Sequence, residues 1–179
     1  MGNNIEISEK EFAIISEIHK NHLPDQRMLA NRTGISLGLT NLIIKRLIKR
    51  GYIKAKQLNQ KKIQYILTSK GFSEKARKSY NFTLKTISLF KSTKQKLQEL
   101  ITIHFKEGVK EFTISGDADL ADITEIAFQN LANPEIKYHR IKHTGKTDTA
   151  ELIFQSKDAQ QTIDLTHYLA ESGLFYYGA

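Results

Sequence analysis

Three groups of residues have types and spacing that could do chemistry. The largest lies between Asp25 and Glu74, where 48 consecutive residues include no acid but eleven basic side chains: Arg27, Arg32, Lys45, Arg46, Lys49, Arg50, Lys54, Lys56, Lys61, Lys62 and Lys70. A solvated face normally mixes signs to avoid self-repulsion, so the missing counter-charge points to a bound polyanion. The second group is Gly116-Asp117-Ala118-Asp119-Leu120-Ala121-Asp122, which could place a phosphate or carboxylates at a helix start. The third is the pair His139 and His143. In a strand these would face one side about 13 Å apart, too far to share a metal, and they read as surface histidines.

Charge is divided as unevenly as these groups suggest. Residues 1–107 carry 21 Lys and Arg against 8 Asp and Glu, a net of +13; residues 108–179 carry 6 against 11, a net of −5. The whole chain of 179 residues is at +8. Charge alone leaves DNA, RNA and an acidic membrane open as the polyanion. Other classes drop out. With no cysteine there is no disulfide scaffold, thiolate metal site or cysteine nucleophile. No H-E-x-x-H, G-x-S-x-G or Walker A sequence occurs, so no catalytic residue, cofactor or metal is expected and the chain is not read as an enzyme. No run of about 18 apolar residues is present, and Met1 to Phe12 has no apolar signal core. A cytoplasmic protein with no membrane contact is expected.

The elements that must position the basic residues can be read from caps and periodicity. Ser8-Glu9-Lys10-Glu11 is a capping box, and Phe12, Ile15 and Ile18 fall on one helical face. Asn21 and Pro24 end that helix, and Asp25 caps a short second one that breaks at Gly34. Ser36 is expected to cap a third helix running to about Arg50, with Thr40, Ile43, Ile44 and Leu47 inward and Gly51 as the left-handed residue after it. The tight turn Thr33-Gly34-Ile35 makes the pair a helix-turn-helix. Residues 52–56 and 63–67 read as strands around the polar tip Asn59-Gln60-Lys61-Lys62, a hairpin wing.

This arrangement places the third helix in a major groove and the wing on phosphates or a minor groove. Its outward positions are Ser36, Gly38, Leu39, Asn41, Leu42, Lys45, Arg46 and Lys49. The residues assigned to DNA are Arg27, Ser36, Gly38, Asn41, Lys45, Lys49, Lys61 and Lys62. Asn41 is the candidate base reader, because an amide can bond adenine bidentately. Lys45, Lys49, Lys61 and Lys62 need only reach and charge to hold phosphates.

Three segments in order carry a family resemblance: Leu29-Ala30-Asn31-Arg32-Thr33-Gly34-Ile35-Ser36-Leu37-Gly38, then Leu47-Ile48-Lys49-Arg50-Gly51-Tyr52-Ile53, then Tyr65-Ile66-Leu67-Thr68-Ser69-Lys70-Gly71. Residues from about 8 to 106 resemble the winged-helix transcription regulators of the MarR type, nearest to the exopolysaccharide-associated subgroup. Leu39 departs from that subgroup, where a basic residue is expected. The resemblance implies a dimeric regulator on a palindromic operator.

From Thr68 to about Lys106 there is no proline and one glycine. Apolar residues recur there at helical spacing. A helix of that length would reach about 55 Å, more than a single winged helix can cover. A coiled coil with a second copy is the simplest cover, with Tyr80, Leu84, Ile87, Phe90, Leu97 and Ile101 as its seam. The competing cover is the chain's own C-terminal part.

Residues 108–179 read as a small acidic α/β domain. Strands are expected over 109–115, 136–142 and 150–155, helices from Gly116 to Leu131 and from Asp158 to Ser172, and a last strand at Leu174–Tyr177. That alternation suggests a small parallel sheet, and the segment resembles the first half of a Rossmann-type nucleotide-binding domain. The departures weigh against a nucleotide. Ala118 stands where the motif has its second glycine, Asp117, Asp119 and Asp122 repel an anion, and His143-Thr144-Gly145-Lys146 replaces the ribose-binding acid. No basic partner supports magnesium at the aspartates.

The fold class is therefore α+β: a winged helix-turn-helix over 1–70, a long dimerisation helix over 71–107 and a Rossmann-like unit over 108–179. The function expected is a homodimeric, sequence-specific regulator on double-stranded DNA, with an unknown effector or protein partner at the C-terminal unit. The alternatives are a winged-helix interaction adaptor and a nucleotide or small-ligand sensor.

Overall fold

Backbone amides at a helix start have no partner inside the helix, and α1 (Glu9–Lys20) supplies them from side chains. The Glu11 amide donates to Ser8 Oγ (3.2 Å) and the Ser8 amide to Glu11 Oε2 (2.9 Å), closing the capping box in both directions. The structure is a computed structural model, which describes residues 7–20, 24–59, 62–116, 119–141, 150–155 and 159–174. It divides into two compact units, 1–84 and 85–179.

In the first unit, α2 (Gln26–Thr33) starts where Asp25 Oδ1 accepts from the Met28 amide (2.7 Å) and ends at Gly34 with φ +67°. Then comes α3 (Leu37–Lys49), whose inward residues Thr40, Ile43, Ile44 and Leu47 are all buried. Ser36 stands at its N-cap position but makes no side-chain cap bond there, contrary to expectation; its carbonyl accepts from the Thr40 amide (2.9 Å). Gly51, at φ +75°, turns the chain into β1 (Ile53–Asn59), which pairs antiparallel with β2 (Lys62–Leu67) in a register running from Ile53↔Leu67 to Asn59↔Lys62. The core gathers Ile14, Ile15, Leu29, Ile44, Leu47 and Ile53 beneath the helices and the base of the hairpin.

The turn from β2 into α4 (Ser69–Lys106) explains the Leu67-Thr68-x-x-Gly71 run. Thr68 Oγ1 lies 2.7 and 3.0 Å from the Gly51 and Tyr52 carbonyls and accepts from the Gly71 amide (3.1 Å). A Cβ at Gly71 would sit 2.0 Å from the Tyr52 carbonyl oxygen, so only glycine lets the two backbones approach. The long helix spans 38 residues, as its composition predicts. The division between units falls at Leu84/Lys85, so the first part of this helix belongs to one unit and the remainder to the other.

In the second unit, the C-terminal part of α4 packs with a four-stranded sheet of order β4-β3-β5-β6 and two further helices. The elements are β3 (Glu111–Ser115), α5 (Asp119–Leu131), β4 (Lys137–Ile141), β5 (Glu151–Gln155), β6 (Gln160–Asp164) and α6 (Leu165–Glu171). Phe112, Phe128 and Phe154 form the aromatic centre of its core, with ring centroids 5.3 and 5.7 Å from Phe112.

Two expectations are corrected here. Among the described residues only β3 and β4 run parallel; β5 is antiparallel to β3, and β6 to β5. Nine residues separate β4 from β5, short of the dozen or so that a parallel crossover needs, so the return strand is antiparallel and the sheet is mixed. The helix expected from Asp158 starts at Leu165, because Gln160–Asp164 is an edge strand and Asp164 Oδ1 accepts from the Thr166 and His167 amides. The last strand expected at Leu174–Tyr177 falls largely outside the described residues, Leu174 itself being in a turn.

Candidate nucleic-acid interface

The geometry of α3 is fixed from three sides. At its start, the Ile35 amide donates to the Ala30 carbonyl (3.2 Å), closing the turn after α2. Along its inner face, the buried stripe from Thr40 to Leu47 locks its rotation. At its end, Arg50 and Arg46 reach the carboxylate of Glu11, at 3.3 Å to Oε2 and 3.6 Å to Oε1. Glu11 is 3% exposed. The residue that closes the first helix's cap thus also ties down the C-terminal end of α3. The capping role could be read from spacing; the ion pairs could not, because Arg46 and Arg50 are distant in sequence.

Opposite the buried stripe lie Gly38, Leu42, Lys45 and Lys49, all exposed. Ser36 and Arg27 are exposed as well, Arg27 beside a cleft of about 310 Å³ that it lines with Asp25, Gln26, Leu37, Ile63 and Tyr65. A hydrogen bond from Gln26 Nε2 to the Tyr65 hydroxyl (2.6 Å) joins α2 to the wing. On β1, Lys54 and Lys56 are exposed, an addition to the residues assigned from sequence. Lys45, Lys49, Lys54 and Lys56 make no ion pair among the described residues. Lys61 and the side chain of Lys62 lie outside the described residues.

Two positions expected to be outward are not fully so. Leu39 is half-buried against the core. Asn41 is half-buried, and its Oδ1 is buried with no hydrogen-bond partner among the described residues. Oxygen and nitrogen of an amide can be exchanged by a flip, but either way one of the two polar atoms points inward. A bidentate grip on adenine needs both.

The residues assigned to a dimer seam divide into two sets. Tyr80, Leu84, Ile87 and Phe90 are exposed, and so are Phe82 and Leu89, which the seam did not include. Leu97 and Ile101 are 0% exposed in the core of the second unit. For these two the competing cover, the chain's own C-terminal part, is the one observed. A fully buried side chain has no surface left to offer a second copy.

In the second unit, Asp122 and Glu125 at the start of α5 both pair with Arg140 of β4, which their carboxylates hold more firmly protonated than usual, Asp122 foremost. The basic partner that the spacing did not reveal is thus present, delivered by the parallel strand pair. Asp119 is exposed, and Asp117, Ala118 and residues 143–146 lie outside the described residues. His139 is exposed on β4. Among the described residues no group of three or more His, Asp or Glu could hold a metal ion, and no helix is long and apolar enough to cross a membrane.

Residues 7–54 match the family described as winged helix-turn-helix DNA-binding. That match takes in α1, α2, α3 and the first residues of β1. No curated protein matches the chain. Among solved structures, the PcaV transcriptional regulator from Streptomyces coelicolor, in complex with its natural ligand, is similar at 21% identity and a TM-score of 0.39 over 41% of this chain; the match spans about half of that protein's length (53%). The zinc-responsive MarR family member ZitR from Lactococcus lactis matches at 15% identity and a TM-score of 0.42, over 59% of this chain and 78% of its own. TrmBL2, an archaeal chromatin protein, matches at 12% identity and a TM-score of 0.34, over 99% of this chain and 95% of its own.

Proposed function

We propose that this chain is a sequence-specific, DNA-binding transcription regulator of the MarR type, working in the cytoplasm as a homodimer on a palindromic operator. The observation that carries the reading is the outward ridge of α3. It presents Gly38, Leu42, Lys45 and Lys49 to solvent opposite a stripe that is wholly buried, and Lys54 and Lys56, which like Lys45 and Lys49 make no ion pair among the described residues, extend the positive charge onto the wing. A helix held this way fits a major groove, and lysines without carboxylate partners are free to replace the counterions of phosphates.

Dimerisation supplies the second half-site. Tyr80, Leu84 and Ile87 form an exposed apolar stripe at helical spacing on α4, and a second copy of that helix is the cover that places two recognition helices about 34 Å apart. The C-terminal unit is then the part that meets an effector or a protein partner.

Selection of binding sites from random DNA with the full chain tests the reading. Enrichment of an inverted repeat that still shifts in a gel under excess competitor is expected. Binding that competitor abolishes entirely would overturn sequence-specific regulation and favour a winged-helix adaptor. Sedimentation should give a dimer that Leu84→Glu with Ile87→Glu converts to a monomer; a wild-type monomer at tens of micromolar would overturn the dimer.

A further inference from the structure

The sequence-reading role assigned first to Asn41 leaves open which side chain meets the bases, and the outward ridge of α3 narrows the choice. Leu42 is 60% exposed, more than any other large hydrophobic among the described residues of the winged helix. A single exposed leucine needs no explanation in general. Here it stands at the centre of the one face that carries the lysines, with Lys45 and Lys49 following it along the ridge. One turn before it is Gly38, where an added Cβ would meet nothing within 4 Å, so packing does not demand glycine and the surface beside Leu42 stays low. Asn41, its neighbour, has one amide atom turned inward.

Resting on the DNA-binding function proposed above, we infer that Leu42 is a specificity-determining residue that recognises thymine through its C5 methyl group. The major groove offers hydrogen-bond donors and acceptors on every base pair but one apolar feature, that methyl, and an isobutyl group projecting from a recognition helix has nothing else there to gain from. Lys45 and Lys49 hold the flanking phosphates and set the register in which Leu42 meets the base. The half-site therefore contains a thymine chosen by apolar contact and not by a hydrogen bond.

The test uses the full chain and the duplex it selects from random DNA. Each thymine is replaced in turn by deoxyuridine, which removes the methyl and leaves every hydrogen-bonding group in place. One position per half-site should weaken wild-type binding about fourfold, the worth of one buried methyl-sized group. Leu42→Ala should bind the thymine and deoxyuridine duplexes equally at that position. Because Leu42 is mostly exposed, the variant keeps the wild-type melting temperature. A selected site at which no deoxyuridine replacement matters, or a replacement profile identical in wild type and Leu42→Ala, would overturn this inference while leaving sequence-specific binding intact. If the wild type selects no site, both fall.

Discussion

The two units treat charge in opposite ways. In the first, Lys45, Lys49, Lys54 and Lys56 project from α3 and β1 with no carboxylate to meet them among the described residues, while the buried acid Glu11 faces inward to Arg46 and Arg50. In the second, charges on neighbouring elements are closed against each other: Arg140 against Asp122 and Glu125, Lys110 against Glu135 at 2.9 Å. A charge satisfied within its own unit contributes to that unit's structure and has little left for a ligand. A set of like charges left open contributes nothing to folding and raises the affinity for a polyanion. At the start of α5, which the sequence made conspicuous, Asp122 is closed against Arg140 of β4.

The comparison breaks most visibly under removal of the open charges. Replacing Lys45, Lys49, Lys54 and Lys56 together by Ala should lower affinity for DNA on the order of a hundredfold at low salt and flatten log K against log salt by about 0.9 for each phosphate no longer neutralised. Thermal stability should stay as in the wild type; a loss of stability as large as the loss of binding would show that these lysines are structural. Next in size is Glu11→Ala, which removes half the capping box and strands two arginines. About 2–4 kcal/mol of stability should be lost in denaturant titration, with DNA affinity falling because α3 loses its anchor. Arg140→Ala should cost the second unit about 1–2 kcal/mol and leave DNA binding unchanged, since its partners lie within that unit. An effect on DNA binding equal to that of the lysines would erase the contrast between the units.

The smallest effect concerns acid. Glu74 is buried beside Arg77, whose guanidinium bonds its carboxylate at 2.6 Å and holds it below the ordinary 4.5 despite the opposing pull of burial. A carboxyl whose folded value is depressed contributes stability that is present above its unfolded value and lost as pH falls through the folded one. Stability should therefore drop as pH goes below about 4.5, by a component that Glu74→Gln lacks, measured by denaturant titration at pH 6 and pH 3.5.

Much of the first unit was legible because its signals are local. The capping box at Ser8, the cap at Asp25, the turn at Gly34 and the four-residue stripe inside α3 depend on spacing within one or two helical turns, and each is found where spacing puts it, Ser36's missing cap bond excepted. The second unit was legible in β3, α5, β4 and β5, and not in the direction of its strand pairing or in the stretch that begins at Gln160. Its sheet direction depends on which strands become neighbours, and short polar stretches such as Gln160–Asp164 carry too little periodicity to tell helix from edge strand. The long helix shows both outcomes at once: its 38-residue span follows from composition, but apolar residues at one spacing end in two fates, Leu84 and Ile87 exposed, Leu97 and Ile101 sealed in a core.

Local pattern was enough to place the helices and wing of the first unit, the long helix and the accumulation of positive charge, because caps, periodicity and charge counts are properties of neighbours along the chain. Only the tertiary structure decided which of those residues remain available. It turned one amide atom of Asn41 inward, left Leu42 outward, gave Asp122 to Arg140 and closed Leu97 into a core, since availability depends on what other parts of the chain cover a side chain and on nothing in its local pattern.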